Sequence, residues 1–153
     1  MRAVALRVCR GGERVGHLPG AARSLVGAAG CALLGPSDRI EEVYSQADCV
    51  VLPSYREGMP RSLLEAGAMG LPVVATNVPG CRNIVADGHN GLLCEAKSAE
   101  SLRNALEAML ALSPEERSRM GAAGRRQVEQ AYDEQLVVKA ALDVLDGLRG
   151  RGT

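Results

Sequence analysis

The order of apolar runs along the chain predicts an α/β fold, a parallel sheet flanked by helices. Three observations carry that prediction. From residue 31 onward, short apolar runs alternate with helical patterns, the cue for strand–helix–strand units. The runs at 48–52 (DCVVL) and 71–75 (LPVVA) are almost wholly apolar, the form taken by strands of a parallel sheet. Gly and Pro mark the boundaries, at Gly35-Pro36, Pro53 and Gly70.

Taken in order, Val4 to Val8 reads as a strand, followed by the Gly-rich loop Arg10-Gly11-Gly12-Glu13-Arg14. Pro19-Gly20 interrupts any helix that starts there, which places the helix at 21–29. Cys31-Ala32-Leu33-Leu34-Gly35 is a short strand stopped by Gly35-Pro36. Ser37 or Asp38 caps a helix with Ile40, Val43, Tyr44 and Ala47 on one face. The strand at 48–52 ends at Pro53-Ser54, and a loop from Tyr55 to Met59 leads to a helix that Pro60 suits as first-turn residue. That helix carries Leu63, Leu64 and Ala68 and ends near Gly70. A strand at 71–75, a loop from Thr76 to Gly80 and a short helix from Cys81 to Val85 follow. Asp87-Gly88 forms a turn before a strand from Gly91 to Cys94.

Three helices without a strand complete the chain and are expected to pack around the sheet. Ser98 caps the first, whose inner face is Leu102, Ala105, Leu106 and Met109. Ser113-Pro114-Glu115-Glu116 is a capping box that opens the second. The third begins near Asp133 and aligns Leu136, Val137, Ala140, Ala141, Val144, Leu145 and Leu148 in one stripe. Residues 1–30 read as the N-terminal part of the same domain, with the weakest pattern, and 150–153 as a tail.

At 153 residues the chain is about one domain long. Eighteen Lys+Arg balance eighteen Asp+Glu, which argues against a nucleic-acid or anionic-membrane binder working by bulk charge. Tyr44, Tyr55 and Tyr132 are the only aromatic residues, a poor inventory for stacking bases or sugars. Cys9, Cys31, Cys49, Cys81 and Cys94 are odd in number and far apart, so free thiols are expected in place of a zinc site or disulfide framework. No apolar run reaches the ~18 residues of a membrane span, and the start lacks a signal-peptide core. The expectation is a cytoplasmic location, at the inner face of the membrane where a partner brings the chain there.

The densest chemical signal is the stretch from Pro53 to Ala66, PSYREGMPRSLLEA. A strand ends, a loop turns, and a helix begins with a carboxylate on each side of its first turn. Ligands of open α/β sheets collect beyond the carboxyl ends of strands. A helix start offers unpaired N–H groups, here around Gly58 to Ser62, and the positive end of a dipole. Gly58 leaves room for ligand oxygens to approach the backbone. Carboxylates beside an anion site make sense when the ligand also carries diols, as a nucleotide-sugar diphosphate does. Taken singly, Glu57 also reads as a solvated loop charge and Glu65 as an exposed helix residue.

Glu57 and Glu65 are separated by seven residues, and EGMPRSLLEAGAMGLPVVAT resembles the Glu-x7-Glu region of family-four retaining glycosyltransferases of the GT-B fold. The resemblance continues through Asn77-Val78-Pro79-Gly80, Asp87-Gly88, Asn90-Gly91-Leu92-Leu93, Met120-Gly121 and Arg125, and covers about residues 31–148. It implies a Rossmann-like domain, one half of a GT-B fold, with the C-terminal nucleotide-sugar-binding domain at 31–149. It further implies that Glu57 contacts hydroxyls of the donor sugar and that Glu65 holds the ribose. Gly58, Met59 and Pro60 would line the sugar and phosphates, Leu33 and Leu34 would meet the nucleobase, and Leu64 would lie near the ribose. The implied donor is a nucleotide-diphosphate sugar, UDP-linked by family frequency with GDP next, used as substrate without a separate cofactor. The acceptor is a carbohydrate or lipid-linked hydroxyl, and transfer retains the anomeric configuration. The loop variant resembles members acting on cell-surface polysaccharides. No Asp-x-Asp pair stands near the motif, so no metal is expected.

The departures are as informative. The family's Arg/Lys pair for the diphosphate has no clear counterpart, and the Arg10–Arg14 loop matches a second Gly-rich turn only weakly. Arg56 and Arg61 are the nearest cations, and both also read as surface residues. His17 and His89 receive no role, and Arg125-Arg126 reads as a solvated helix face. The chain has room for one of the family's two domains, so turnover is expected only with an N-terminal domain or partner chain. With that partner absent, part of the 136–148 stripe is exposed and self-association follows. The rival readings are a non-catalytic interaction or regulatory module that keeps the fold, and a nucleotide-sugar epimerase-like domain. A dinucleotide oxidoreductase is disfavoured, because Gly11-Gly12 does not form G-x-G-x-x-G.

Overall fold

Side-chain alternation along the central strands sorts the core into two layers. The computed structural model describes residues 4–6 and 38–149. The strand expected at 31–35, with Leu33 and Leu34, and the helix at 21–29 lie outside them. The elements are β1 (Val4–Leu6), α1 (Ile40–Tyr44), β2 (Cys49–Leu52), α2 (Arg61–Ala68), β3 (Val73–Thr76), α3 (Pro79–Arg82), β4 (Gly91–Cys94), α4 (Ala99–Ala111), α5 (Pro114–Ala131) and α6 (Glu134–Arg149).

The sheet order is β1-β2-β3-β4, with β2, β3 and β4 parallel. Val50 and Leu52 of β2, with Val73 and Ala75 of β3, point to the layer that holds Tyr44, Leu63, Ala66, Cys81 and Ile84. Cys49, Val51 and Val74 point the other way, to Met109 and the partly buried Leu102, Leu106 and Met120. Apolar side chains are therefore needed at successive positions, which explains the continuous runs in the sequence.

Strand direction corrects one expectation. β1 pairs antiparallel with β2, Val4 opposite Val51, so the sheet is mixed. A short apolar run pairs in either direction, and an antiparallel edge strand on a parallel sheet is a common solution. β3 also starts two residues later than the apolar run. Leu71 N–H bonds Ala66 C=O and Gly70 N–H bonds Gly67 C=O, a Schellman closure of α2 with Gly70 at φ 69°. Leu71 is thereby spent on ending the helix, while Pro72 C=O accepts from Val50 N–H.

Other boundaries shift for local reasons. α1 has Arg39 at its N-cap with no side-chain cap, and among Ile40, Val43, Tyr44 and Ala47 only Tyr44 is buried. Pro60 is the N-cap of α2 and not its first helical residue. Pro79 sets the first turn of α3, which starts two residues before the expected Cys81. Ser98 accepts from Ser101 N–H, and Ser113 with Glu116 closes the capping box.

The terminal helices do not all pack on the sheet. α4 lies against β4 and β3, and α5 against α2 and β4. α6 departs from the expectation: every side chain described from Glu134 to Asp146 is exposed, with Leu136, Val138, Leu142, Val144 and Leu145 at 47% to 64%. The expected exposure of the apolar stripe is therefore observed at Leu136, Val144 and Leu145.

Cys49, Cys81 and Cys94 are free and buried, as expected of packing thiols. Burial, with the Asp48 carboxylate next and Arg117 opposing, pushes the Cys49 thiol up to about 11. Burial, then the Glu57 carboxylate, does the same to Cys81, raising it to about 11 against a smaller opposing effect of Thr76. The ordinary value is 9.0, so the folded chain holds these protons more tightly than the unfolded chain. That contribution to stability is complete below pH 9 and lost as pH rises toward 11. Urea midpoints followed across that window should fall less steeply in Cys49→Ala/Cys81→Ala than in the parent chain.

Two glycines differ in how closely they are packed. A Cβ at Gly121 would collide with the Gly70 carbonyl, whereas a Cβ at Gly58 would meet nothing within 4 Å. Gly121→Ala should cost about 1–3 kcal/mol in urea unfolding. Gly58→Ala should stay within about 0.5 kcal/mol of the parent.

Candidate functional site

The carboxyl ends of β2, β3 and β4 lie side by side, and the Glu57 loop leaves the first of them. At the end of β2, Ser54 is 1% exposed although it is polar. Its carbonyl accepts from the Thr76 hydroxyl at the end of β3, which ties the two strand ends together. Its own hydroxyl donates to Glu57 Oε1 at 2.5 Å. Glu57 is half-buried, and among the described residues Ser54 is its one hydrogen-bond partner.

α3 braces the loop from the far side. A Cβ at Gly80 would clash with the carbonyls of Gly58 and Glu57, so the α3 backbone approaches the loop at a distance only glycine permits. Gly58 has no such packing reason: its surroundings are open and its φ is not in the left-handed region. What a side chain there would occupy is the solvent space over the loop.

The turn into α2 carries unused donors. Pro60 C=O accepts from the N–H groups of Leu63 and Leu64, while those of Gly58, Met59, Arg61 and Ser62 have no partner among the described residues. Glu65, one turn into α2, is half-buried beside Tyr44 of α1. Burial first, then the Glu65 charge, raises the Tyr44 hydroxyl above its ordinary value. Arg61 reaches Glu65 only at 4.0 Å, with its side chain 89% exposed. An ion pair of that kind contributes little.

The structure thus brings Glu57, Gly58, Pro60, Leu64 and Glu65 to one strand-to-helix turn. Leu64 is half-buried against the core and Pro60 is buried, while Met59 is 64% exposed. Chemically, the turn offers carboxylate oxygens as acceptors and backbone N–H groups as donors, with the exposed guanidinium groups of Arg56 and Arg61 nearby. Among the described residues, no group of three His, Cys, Asp or Glu side chains is arranged to hold a metal ion.

Pattern reasoning missed Ser54 and Thr76. Ser54 served only to stop a strand, and Thr76 only to begin a loop. The available signal was the spacing Ser54-x-x-Glu57, in which a hydroxyl and a carboxylate three residues apart commonly meet. Asn90 was also given no structural role, yet it is buried and fully engaged. Its side chain accepts from Ala86 N–H and donates to Ile84 C=O and Gln127. Arg125 likewise does more than face solvent: besides pairing with Glu129 at 2.6 Å, it donates to the Ala68 carbonyl at the end of α2. His89 is exposed and lines, with Arg119, Met120 and Arg126, a surface groove of about 470 Å³. That groove lies at the amino ends of the parallel strands, away from the Glu57 turn.

Residues 6–127 match the family described as glycosyl transferases group 1. The chain is 32% identical over 114 residues to the N,N'-diacetylbacillosaminyl-diphospho-undecaprenol alpha-1,3-N-acetylgalactosaminyltransferase of Campylobacter jejuni, covering 74% of this chain and 30% of the relative. The C-terminal domain of a group 1 family glycosyl transferase, LpcC from Francisella tularensis, superposes with a TM-score of 0.57 at 29% identity, over 66% of this chain and 51% of that one. Anabaena HepE in complex with UDP shares the fold, with a TM-score of 0.67 at 21% identity over 72% of this chain and 30% of that one. This chain therefore spans under a third of the Campylobacter relative's length. Matched over most of its residues, the chain belongs to the group 1 glycosyl transferases and carries part of their GT-B fold.

Proposed function

We propose that this chain is the donor-binding part of a retaining glycosyltransferase. It takes a nucleoside-diphosphate sugar as substrate and presents the sugar to an acceptor hydroxyl held by another part of the enzyme. The observation that carries this reading is the turn after β2, where Glu57 and Glu65 flank backbone N–H groups without partners among the described residues. Diol-bearing groups at either end of a diphosphate would satisfy all of them. Glu57 would take the sugar hydroxyls and Glu65 the ribose, with Gly58, Met59 and Pro60 along the sugar and phosphates and Leu64 against the ribose. The Anabaena neighbour solved with UDP supports a uridine nucleotide, and no further cofactor or metal is invoked.

Catalysis needs more than the described residues of the turn offer. Departure of the donor phosphate requires stabilisation of developing charge. Arg56 and Arg61 are exposed and solvent-screened. In this reading an N-terminal domain or partner chain supplies the acceptor surface and further cations. The Campylobacter relative, named for a lipid-linked diphosphate, supports a carbohydrate or lipid-linked acceptor.

Isothermal titration with UDP and GDP tests the nucleotide assignment. Saturable binding of UDP is expected, with a loss of at least about tenfold in Glu65→Ala, the effect of removing a charged hydrogen-bond partner. Unchanged affinity in that variant would refute the ribose role.

The uncovered apolar face of α6 predicts the behaviour of the chain alone. A second copy supplies the same apolar helix, so the chain should self-associate through α6. Size-exclusion with light scattering should give a dimer or larger species for the parent chain and a monomer for Leu142→Glu/Leu145→Glu. A monomeric parent would refute it.

A further inference from the structure

We propose that Ser54 is a positioning residue for donor-sugar recognition: its hydroxyl sets the orientation of the Glu57 carboxylate, and Thr76 anchors Ser54 to the end of β3. This inference rests on the donor-binding reading and adds a part that the Glu57–Glu65 pair does not supply.

The geometry argues it in three steps. First, Ser54 is 1% exposed, so its hydroxyl must find a partner inside the protein, and it finds Glu57 Oε1 at 2.5 Å. A hydroxyl has one proton to give. Spending it on Glu57 fixes one carboxylate oxygen and leaves Oε2 without a partner among the described residues. Second, Ser54 cannot drift, because the Thr76 hydroxyl holds its carbonyl, and Thr76 is itself 3% exposed and paired in the sheet opposite Cys94. Third, the Glu57 backbone is held from the other side by Gly80, where no Cβ fits. Glu57 is thus a loop residue whose carboxylate is held by the Ser54 hydroxyl, while Thr76 anchors Ser54 and the start of α3 braces the Glu57 backbone. A loop carboxylate held only by its own backbone would sample several rotamers and lose entropy on meeting a ligand. One fixed in advance presents its free oxygen at a set angle, which is what recognition of a particular pair of sugar hydroxyls demands.

The assignment separates two parts of the ligand. UDP lacks the sugar and reports on Glu65 and the N–H groups, while UDP-glucose adds the contact with Glu57. The test is titration of the full chain with UDP and with UDP-glucose, for the parent, Ser54→Ala, Ser54→Cys, Ser54→Thr and Thr76→Val. The parent should bind UDP-glucose about tenfold more tightly than UDP, the increment a charge-assisted hydrogen bond provides. Ser54→Ala should bind UDP within about twofold of the parent and lose most of the sugar-dependent increment. Ser54→Thr, which keeps the hydroxyl, should restore it; Ser54→Cys keeps volume with a weaker donor and should fall between; Thr76→Val should lower it partly. UDP affinity reports on the intact fold in every variant, and where Ser54→Ala does not fold, the comparison of Ser54→Cys with Ser54→Thr decides. An increment unchanged in Ser54→Ala, or in Ser54→Cys where that comparison decides, refutes the positioning role while leaving donor binding standing. A parent that binds UDP with no sugar increment refutes it as well. A parent that binds neither ligand refutes the donor-binding reading itself, and this inference with it.

Discussion

The parallel pairing of β2 with β3 is the constraint on which the rest of the molecule depends. Its register, Val50 opposite Val73 and Leu52 opposite Ala75, is set by burial on both faces. A slip by one residue would exchange the two layers, sending Val50 and Leu52 toward Met109 and leaving Cys49 and Val51 against Leu63 and Ala66. The same register brings Thr76 level with the chain leaving β2, where its hydroxyl meets the Ser54 carbonyl. Position along the sheet is thereby converted into position of the Glu57 loop. The loop is an outgrowth of strand pairing, which explains why its exposed residues start from a buried Ser54.

Close backbone approach supplies the second constraint. α5 crosses α2 where Gly67 and Gly124 face each other, and a Cβ at Gly67 would come within 2.7 Å of Val128 Cγ2. Gly121 lies against the Gly70 turn that ends α2. With no side chains between them the helices pack at short range, and Arg125 adds a bond to the last turn of α2 through the Ala68 carbonyl. The Schellman closure, the glycine contact and the arginine all act at the same end of α2. Its other end, the one that opens on Glu57 and Gly58, is consequently held from behind. A helix fixed at its carboxyl end presents its amino end without needing a cap of its own, and Pro60 provides none beyond its carbonyl.

Much of this was legible in the sequence because the physics was local. Apolar runs gave β2, β3 and β4, the capping patterns at Ser98 and Ser113 gave two helix starts, and Gly70 gave one helix end. What pattern could not carry was relational. The three residues of β1 contain nothing that encodes the direction of their neighbour. Leu71 looks like a strand residue until the helix before it claims its N–H. α6 has an amphipathic stripe, which says that a face wants cover but not that α4 and α5 have already taken the sheet. Within the site, Glu57 and Glu65 stood out by charge and spacing, whereas Ser54 and Thr76 looked ordinary. Their roles arise from the meeting of residues 22 apart in the chain. Leu33 and Leu34, expected at the nucleobase, fall outside the described residues.

If the turn binds a nucleoside-diphosphate sugar as proposed, its charge inventory sets how labour would be divided in the whole enzyme. Two carboxylates close to a diphosphate oppose its charge, so each must face hydroxyls and keep its distance from the phosphates. The guanidinium groups of Arg56 and Arg61 sit in water, where screening leaves little of their attraction. Backbone N–H groups can orient a phosphate without neutralising it. A surface of this composition recognises hydroxyl patterns well and stabilises a departing nucleoside diphosphate poorly. On the proposed donor-binding reading, recognition of the donor and the electrostatics of its cleavage would therefore belong to different surfaces, and the transition state would form where the two are brought together. Such a separation would have a physical advantage: a donor bound without strong neutralisation would stay unreactive toward water until a cationic surface met it.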